Sequence, residues 1–72
     1  MDTKKKLELL EDMMELENGT LSGETVLAEL EEWDSLAKLS LIVLMDEECG
    51  KTLAGEQIKE FVTVQDILDF MG

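Results

Sequence analysis

Asp34 and Ser35 stand where a polar stretch of the sequence gives way to a leucine-rich run. Asp34 is typical of a helix N-cap, because its carboxylate can accept a backbone N–H that lacks a partner inside the helix. Ser35 is then the first helical residue, beside unpaired N–H groups and the positive end of the helix dipole. A phosphate ester on its hydroxyl would be stabilised there by roughly 0.3–1 kcal/mol. An Asp-Ser pair is also a common helix start without chemistry, so both interpretations stand at this point.

Other kinds of chemistry find few suitable residues. The chain has no histidine, and no G-x-S-x-G elbow surrounds Ser35, so a Ser-His-Asp hydrolase is excluded. The loop pattern of calcium sensors is also missing, and the acidic run from Asp46 to Glu48 indicates a solvated helix end. Cys49 falls on the core arc of the helix that begins at Ser35, where a free thiol behaves as a small hydrophobe. We therefore expect neither an enzyme nor a metal site.

The composition is strongly acidic. Eighteen Asp and Glu residues against six basic ones give a formal net charge of −12. Such a surface repels nucleic acids and anionic membranes, favours basic protein partners and disfavours self-association, so we expect a monomer. The sequence has no apolar run of the roughly 18 residues that a membrane helix needs and no export signal, which indicates a cytoplasmic protein.

The first half of the chain predicts one helix followed by a long loop. Leucine and methionine recur at helical spacing from Thr3 to about Glu17, and the Asn-Gly pair at positions 18 and 19 offers a helix stop. Residues 20–33 have no clean period, so we expect a loop with one helical turn around Val26 to Leu30. A loop this long in a small domain is unusual unless it packs or carries function.

The second half predicts three helices. One runs from Ser35 to about Cys49 and ends at Gly50, and a short one lies between positions 52 and 61. The last begins at Thr63, where T-V-Q-D resembles a capping box with Asp66 in the usual place of glutamate. Its apolar residues follow the i, i+3, i+4, i+7 template: Val64, Ile67, Leu68 and Met71. The prediction is one all-α domain over residues 1–72, a small four-helix bundle with three main helices and one short helix.

The helix after Ser35 has apolar residues on two sides. At about 100° per residue, one arc indicates the core face: Leu41, Ile42, Met45 and Cys49. The opposite arc mixes apolar and polar side chains: Leu36, Ser40, Val43 and Glu47. Leu36 and Val43 either add core contacts or form an exposed docking strip, since a surface helix that is apolar on both sides often has a partner.

The sequence around the serine resembles the attachment region of acyl carrier proteins. The family's Asp-Ser-Leu motif is intact at positions 34–36, within the run E-W-D-S-L, and M-D-E-E follows at positions 45–48. The T-V-Q-D-I run at positions 63–67 is similar to the opening of the family's last helix. Length, acidity and element order agree as well, so the resemblance covers the whole chain.

The resemblance implies a carrier of acyl groups. A phosphopantetheinyl transferase, using coenzyme A and magnesium, would attach 4'-phosphopantetheine to Ser35, and the thiol of this arm would hold the acyl group as a thioester. Asp34 would help the transferase to position the serine. Leu36 and Val43 would contact partners, while Asp46 and Glu47 would meet basic residues of the enzymes that load and process the acyl group.

Some residues depart from the family pattern. Ala37 and Ser40 stand where carriers of fatty acid synthesis usually have acids, and Lys38 adds a positive charge near the serine. A specialised acyl or polyketide pathway therefore competes with general fatty acid biosynthesis. Outside the carrier class, the alternative is an acidic helical interaction module in which Ser35 only starts a helix. Modification of Ser35 separates the two.

Overall fold

Four α-helices account for most of the regular structure in the computed structural model, which describes residues 2–72. They are α1 (Thr3–Met13), α2 (Ser35–Leu44), α3 (Gly55–Glu60) and α4 (Val64–Met71). A 3₁₀ turn covers Leu27–Glu29, and a π-helical turn, Met45–Cys49, continues α2. The described residues contain no strand, so the predicted all-α class is confirmed at this level.

The first helix is shorter than its apolar pattern predicts. The pattern predicts a helix to about Glu17, whereas α1 ends at Met13. Glu15 takes the left-handed conformation with φ of 59°, and the N–H of Leu16 donates to the Glu11 carbonyl oxygen at 2.8 Å. This is the closing hydrogen bond of a Schellman turn, made without the usual glycine. The turn points Leu16 back towards the core, which it contacts as a half-buried residue.

The long segment before α2 is held against the start of α4. The expected helical turn is present as the 3₁₀ turn at Leu27–Glu29. The N–H of Leu27 donates to the carbonyl of Val62, and the N–H of Val64 donates to the carbonyl of Thr25, both at 2.9 Å. Backbone pairing of this kind satisfies polar groups that a packed loop would otherwise bury unpaired. The segment is therefore anchored at its middle rather than only at its ends.

The end of α2 follows the prediction with one difference in geometry. Gly50 has φ of 63°, the left-handed conformation that glycine adopts readily after a helix. The five residues before it form a π-helical turn, and the N–H of Lys51 donates to the Met45 carbonyl at 3.1 Å. A π-helical turn is wider than an α-helical one, so the acidic residues in it do not continue the α-helical spacing of α2.

The core lies where the helices meet, with α1 packed against both α2 and α4. All four residues predicted to form the inner face of α4 are buried: Val64, Ile67, Leu68 and Met71. Leu10 of α1 and Leu41 of α2 are fully buried beside them. Within residues 2–72, no helix has the length and apolar character needed to cross a membrane.

Candidate functional site

Ser35 is the exposed first residue of α2. Asp34 precedes it in extended conformation, and its Oδ1 accepts the N–H of Ala37 at 2.9 Å. The first α-helical bond follows from the N–H of Lys38 to the Asp34 carbonyl at 3.0 Å. The predicted N-cap is confirmed. Because the Asp34 carboxylate accepts the N–H of Ala37, the N–H groups of Ser35 and Leu36 are left without a partner inside the helix.

An exposed apolar strip continues from Ser35 along α2. It consists of Leu36, Leu39 and Val43, which are 75%, 61% and 54% exposed. Positions i, i+3 and i+7 share one helix face, so the three side chains form one contiguous patch. Leu36 and Val43 are therefore exposed rather than additional core. Leu39 was absent from the predicted strip, although its spacing of three from Leu36 could have placed it there.

The opposite face of α2 holds the helix to the core. Leu41 and Met45 are fully buried. Ile42 and Cys49, predicted for the same arc, are half-buried and pack against this cluster. The helical wheel therefore separated the two faces correctly, with its outer members only partly covered.

Asp46 and Glu47 lie in the π-helical turn, at the far end of the helix from Ser35. Both are exposed. At about 1.5 Å per residue, eleven residues separate Asp46 from Ser35 by about 16 Å along the axis. The structure thus brings Ser35, Leu36 and Leu39 together and places the two acids at the opposite end of the same surface helix.

A groove between α2 and α3 opens beside Ser35. It encloses about 360 Å³, with walls formed mainly by Leu39, Ile42 and Ile58. Gly55 lies at the N-terminal end of α3 and lines the groove without a side chain that could fill it. Ser35 forms part of the rim, so a group attached to its hydroxyl can reach either the groove or solvent.

Trp33, just before the cap, is half-buried against the core. The Lys38 Nζ lies 5.9 Å from the centroid of its ring, within the range of a cation–π contact. Trp33 therefore packs at the start of the helix.

Within residues 2–72, the structure contains no group of three or more His, Cys, Asp or Glu side chains placed to hold a metal ion. Comparison of the chain with family models, with curated proteins and with solved structures found no match. The chemistry of Ser35 and its surroundings is therefore the basis on which a function is inferred.

Proposed function

We propose that this chain is an acyl carrier protein, in which Ser35 bears a 4'-phosphopantetheine arm and acyl intermediates travel on that arm. The single observation that carries the proposal is the placement of Ser35. It is exposed, it is the first residue of an α-helix, and it lies between a capping aspartate and an exposed leucine. This is the Asp-Ser-Leu arrangement that the resemblance to acyl carrier proteins requires.

The position suits a phosphodiester. The Ser35 oxygen attacks the coenzyme A phosphorus that bears pantetheine, and adenosine 3',5'-bisphosphate leaves with the electrons of the broken P–O bond. The hydroxyl proton passes to a base of the transferase. The phosphodiester then carries negative charge beside the N–H groups at the start of α2, where the helix dipole favours an anion. The free thiol at the end of the arm is the group that holds the acyl chain.

The surface around Ser35 offers an apolar docking strip for a partner enzyme and a groove for the acyl group. The exposed apolar strip continues directly from the serine, so an enzyme that acts on the arm can bury Leu36, Leu39 and Val43 while it reaches Ser35. Asp46 and Glu47 extend this surface with negative charge for basic residues on the partner, and complementary charge accelerates encounter. The groove beside Ser35 offers an apolar acyl chain a place to lie.

The fold belongs to the same proposal. We infer that the three longer helices and α3 form the four-helix bundle of the carrier family, with the segment before α2 as its long loop. Ala37, a buried residue, and Lys38 make the start of the helix less acidic than in carriers of fatty acid synthesis. A specialised acyl or polyketide pathway therefore fits this helix at least as well as general fatty acid synthesis does.

Mass spectrometry of the intact protein tests the proposal. The chain is co-expressed with a broad-specificity phosphopantetheinyl transferase, and its mass is compared with those of Ser35→Ala and Ser40→Ala. Ser40 is the matched control, because it is an exposed serine on the same helix. We expect one phosphopantetheinyl group on the wild type and on Ser40→Ala, and none on Ser35→Ala.

An unmodified wild type, in cells that convert a control carrier, would overturn the carrier function. The exposed apolar strip would then support the alternative, an acidic module that binds a basic partner through α2. Modification of both serine variants would place the arm elsewhere and also contradict the proposal.

A further inference from the structure

A second cavity adjoins the groove beside Ser35. It encloses about 470 Å³ between the 3₁₀ turn, the start of α2 and the chain that joins α3 to α4. Its walls include Trp33, Phe61 and the fully buried Leu27. The cavity and the groove share three residues as a common wall: Lys38, Ile58 and Lys59. The two spaces are therefore neighbours, and two lysines stand at the boundary between them.

The charge of this region is opposite to that of the protein. Asp and Glu supply 18 of the 72 residues, yet neither space has a carboxylate in its lining. Their only charged side chains are Lys38 and Lys59, in a chain whose formal net charge is −12. Two other surface cavities do have acids in their lining: Glu15, Glu32 and Asp34 in one, and Glu8 and Glu11 together with Lys4 in the other. Among these four cavities, the cavity and the groove are the two whose lining holds lysines and no carboxylate.

We propose that the cavity and groove bind an acyl group that has an apolar or aromatic body and an anionic far end, such as a carboxylate. This inference rests on the carrier function proposed above and names the class of its cargo. The body of the acyl group lies against Trp33, Phe61 and Ile58, and its carboxylate meets Lys38 and Lys59 at the shared wall. A neutral chain would gain the apolar contacts alone.

The expected selectivity follows from the exposure of the two lysines. Both ammonium groups are on exposed residues, where a single ion pair contributes little. Two such contacts to one carboxylate correspond to a preference of about three- to tenfold. The acids of the surrounding surface repel an anion, so any preference for a carboxylate over a neutral chain has to come from the local lysine pair.

Titration of the unmodified protein tests the site without any arm. The probes are free decanoate and free decanol, and the signal is the emission of Trp33, the only tryptophan in the chain. The test variant is Lys38→Gln with Lys59→Gln. The control is Lys4→Gln with Lys5→Gln, which removes the same charge from two exposed positions on α1.

We expect the wild type and the control to bind decanoate about three- to tenfold more tightly than the test variant does. Decanol should bind all three proteins equally. Equal decanoate affinity for wild type and test variant would overturn the site, and an equal loss in the control would assign the effect to net charge instead.

Loading the arm then tests the cargo. Wild type is charged with octanoyl or with 7-carboxyheptanoyl phosphopantetheine, and intact mass confirms that one loaded arm is attached. We expect the carboxylate-bearing chain to shift the Lys38 and Lys59 ammonium signals in NMR spectra, and the octanoyl chain to leave them in place. A loaded protein with the same ammonium signals for both chains would overturn the cargo class. Failure of Ser35 to accept an arm would overturn the proposed function, and with it the cargo assignment, while the decanoate titration would still decide the site.

Discussion

Glu11 is the side chain that joins α1 to the loop after it. Only 2% of the residue is exposed, and its Oε2 accepts the N–H groups of Gly19 and Leu21, each at 2.9 Å. A carboxylate that accepts two N–H groups replaces much of the hydration it loses on burial. In the sequence, Glu11 looks like one more acid of an acidic surface helix. Its two hydrogen bonds exist only in the folded chain, where the Schellman turn after α1 brings residues 19–21 back to Glu11.

Replacing Glu11 with alanine should lower the free energy of unfolding by about 1–3 kcal/mol, because two N–H groups lose their acceptor on folding. Glu11→Gln is the matched control, since its amide oxygen can still accept the same hydrogen bonds. We expect it to lose less than the alanine variant. Urea unfolding followed by circular dichroism gives both values, and an alanine variant as stable as the wild type would contradict the role of Glu11.

The two faces of α2 differ, because one packs in the core and the other is exposed. Replacing one leucine on each face separates their contributions. Leu41 is fully buried, whereas Leu36 is 75% exposed. We expect Leu41→Ala to lower the free energy of unfolding by about 2–5 kcal/mol, through lost burial and the cavity left behind. Leu36→Ala should change it by less than about 0.5 kcal/mol. Thermal and urea unfolding of the two variants check these values.

The Leu36→Ala variant also tests partner binding. If the exposed apolar strip meets the transferase, Leu36→Ala slows modification of Ser35 while the fold is unchanged. The measurement is the initial rate of phosphopantetheinylation by mass spectrometry at a fixed transferase concentration. A Leu36→Ala protein modified at the wild-type rate would show that the strip does not contribute to this encounter.

The start of α4 depends on a charged carboxylate. Asp66 Oδ2 accepts the N–H of Val62 at 2.8 Å and that of Thr63 at 3.1 Å. The Val62 hydrogen bond, followed by that of Thr63, holds the pKa of Asp66 below its ordinary value. Since Val62 also accepts a hydrogen bond from Leu27, this carboxylate supports the junction between α4 and the long loop.

The lowered pKa of Asp66 fixes the sign of a pH effect. A group whose pKa falls on folding stabilises the native state above its unfolded pKa, about 4 for aspartate, and this stability is lost as the pH falls through the folded pKa. We expect Asp66→Asn to be less stable than the wild type at pH 7, with the difference shrinking below about pH 4. Unfolding curves of both proteins at pH 7 and pH 3 measure this difference in stability. A difference that is the same at pH 7 and pH 3 would contradict the assignment.

At the scale of the whole molecule, the acidic surface opposes folding. A formal net charge of −12 on 72 residues repels itself more strongly in the folded state than in the expanded chain. We therefore expect sodium chloride and magnesium chloride to raise the Tm. Calorimetry across both salts checks this, with solutions matched in ionic strength to separate general screening from binding of magnesium. A Tm that stays constant across both titrations would contradict the prediction.

Several features followed from local sequence alone. Asp34 caps α2, Gly50 ends the helical stretch that follows, and α4 buries the four residues at i, i+3, i+4 and i+7. Each depends on neighbours within one helical turn or on a fixed period, so the residues concerned are close in the sequence. The two faces of α2 belong to the same group, because a helix repeats its direction every 3.6 residues.

Other features depended on contacts between distant parts of the chain. The apolar pattern of α1 continues to Leu16, but the helix ends earlier because Glu11 and the core favour a left-handed turn at Glu15. The pairing of Thr25 with Val64 joins residues almost forty positions apart. No local pattern encodes such a pairing, since its stability comes from the surface that both segments bury together.

At the candidate site too, the features predicted from the sequence are local, and the features that needed the structure depend on distant contacts. The sequence by itself determined that Ser35 starts a helix after an aspartate and that this helix has apolar residues on two sides. The tertiary structure decided which of the two sides is exposed. Only the tertiary structure decided that α3 forms a groove beside Ser35 and that Lys59 comes to share a wall with Lys38. These two lysines lie on different helices, and only the packing of α2 and α3 against one core can bring their positive charges to the same cavity.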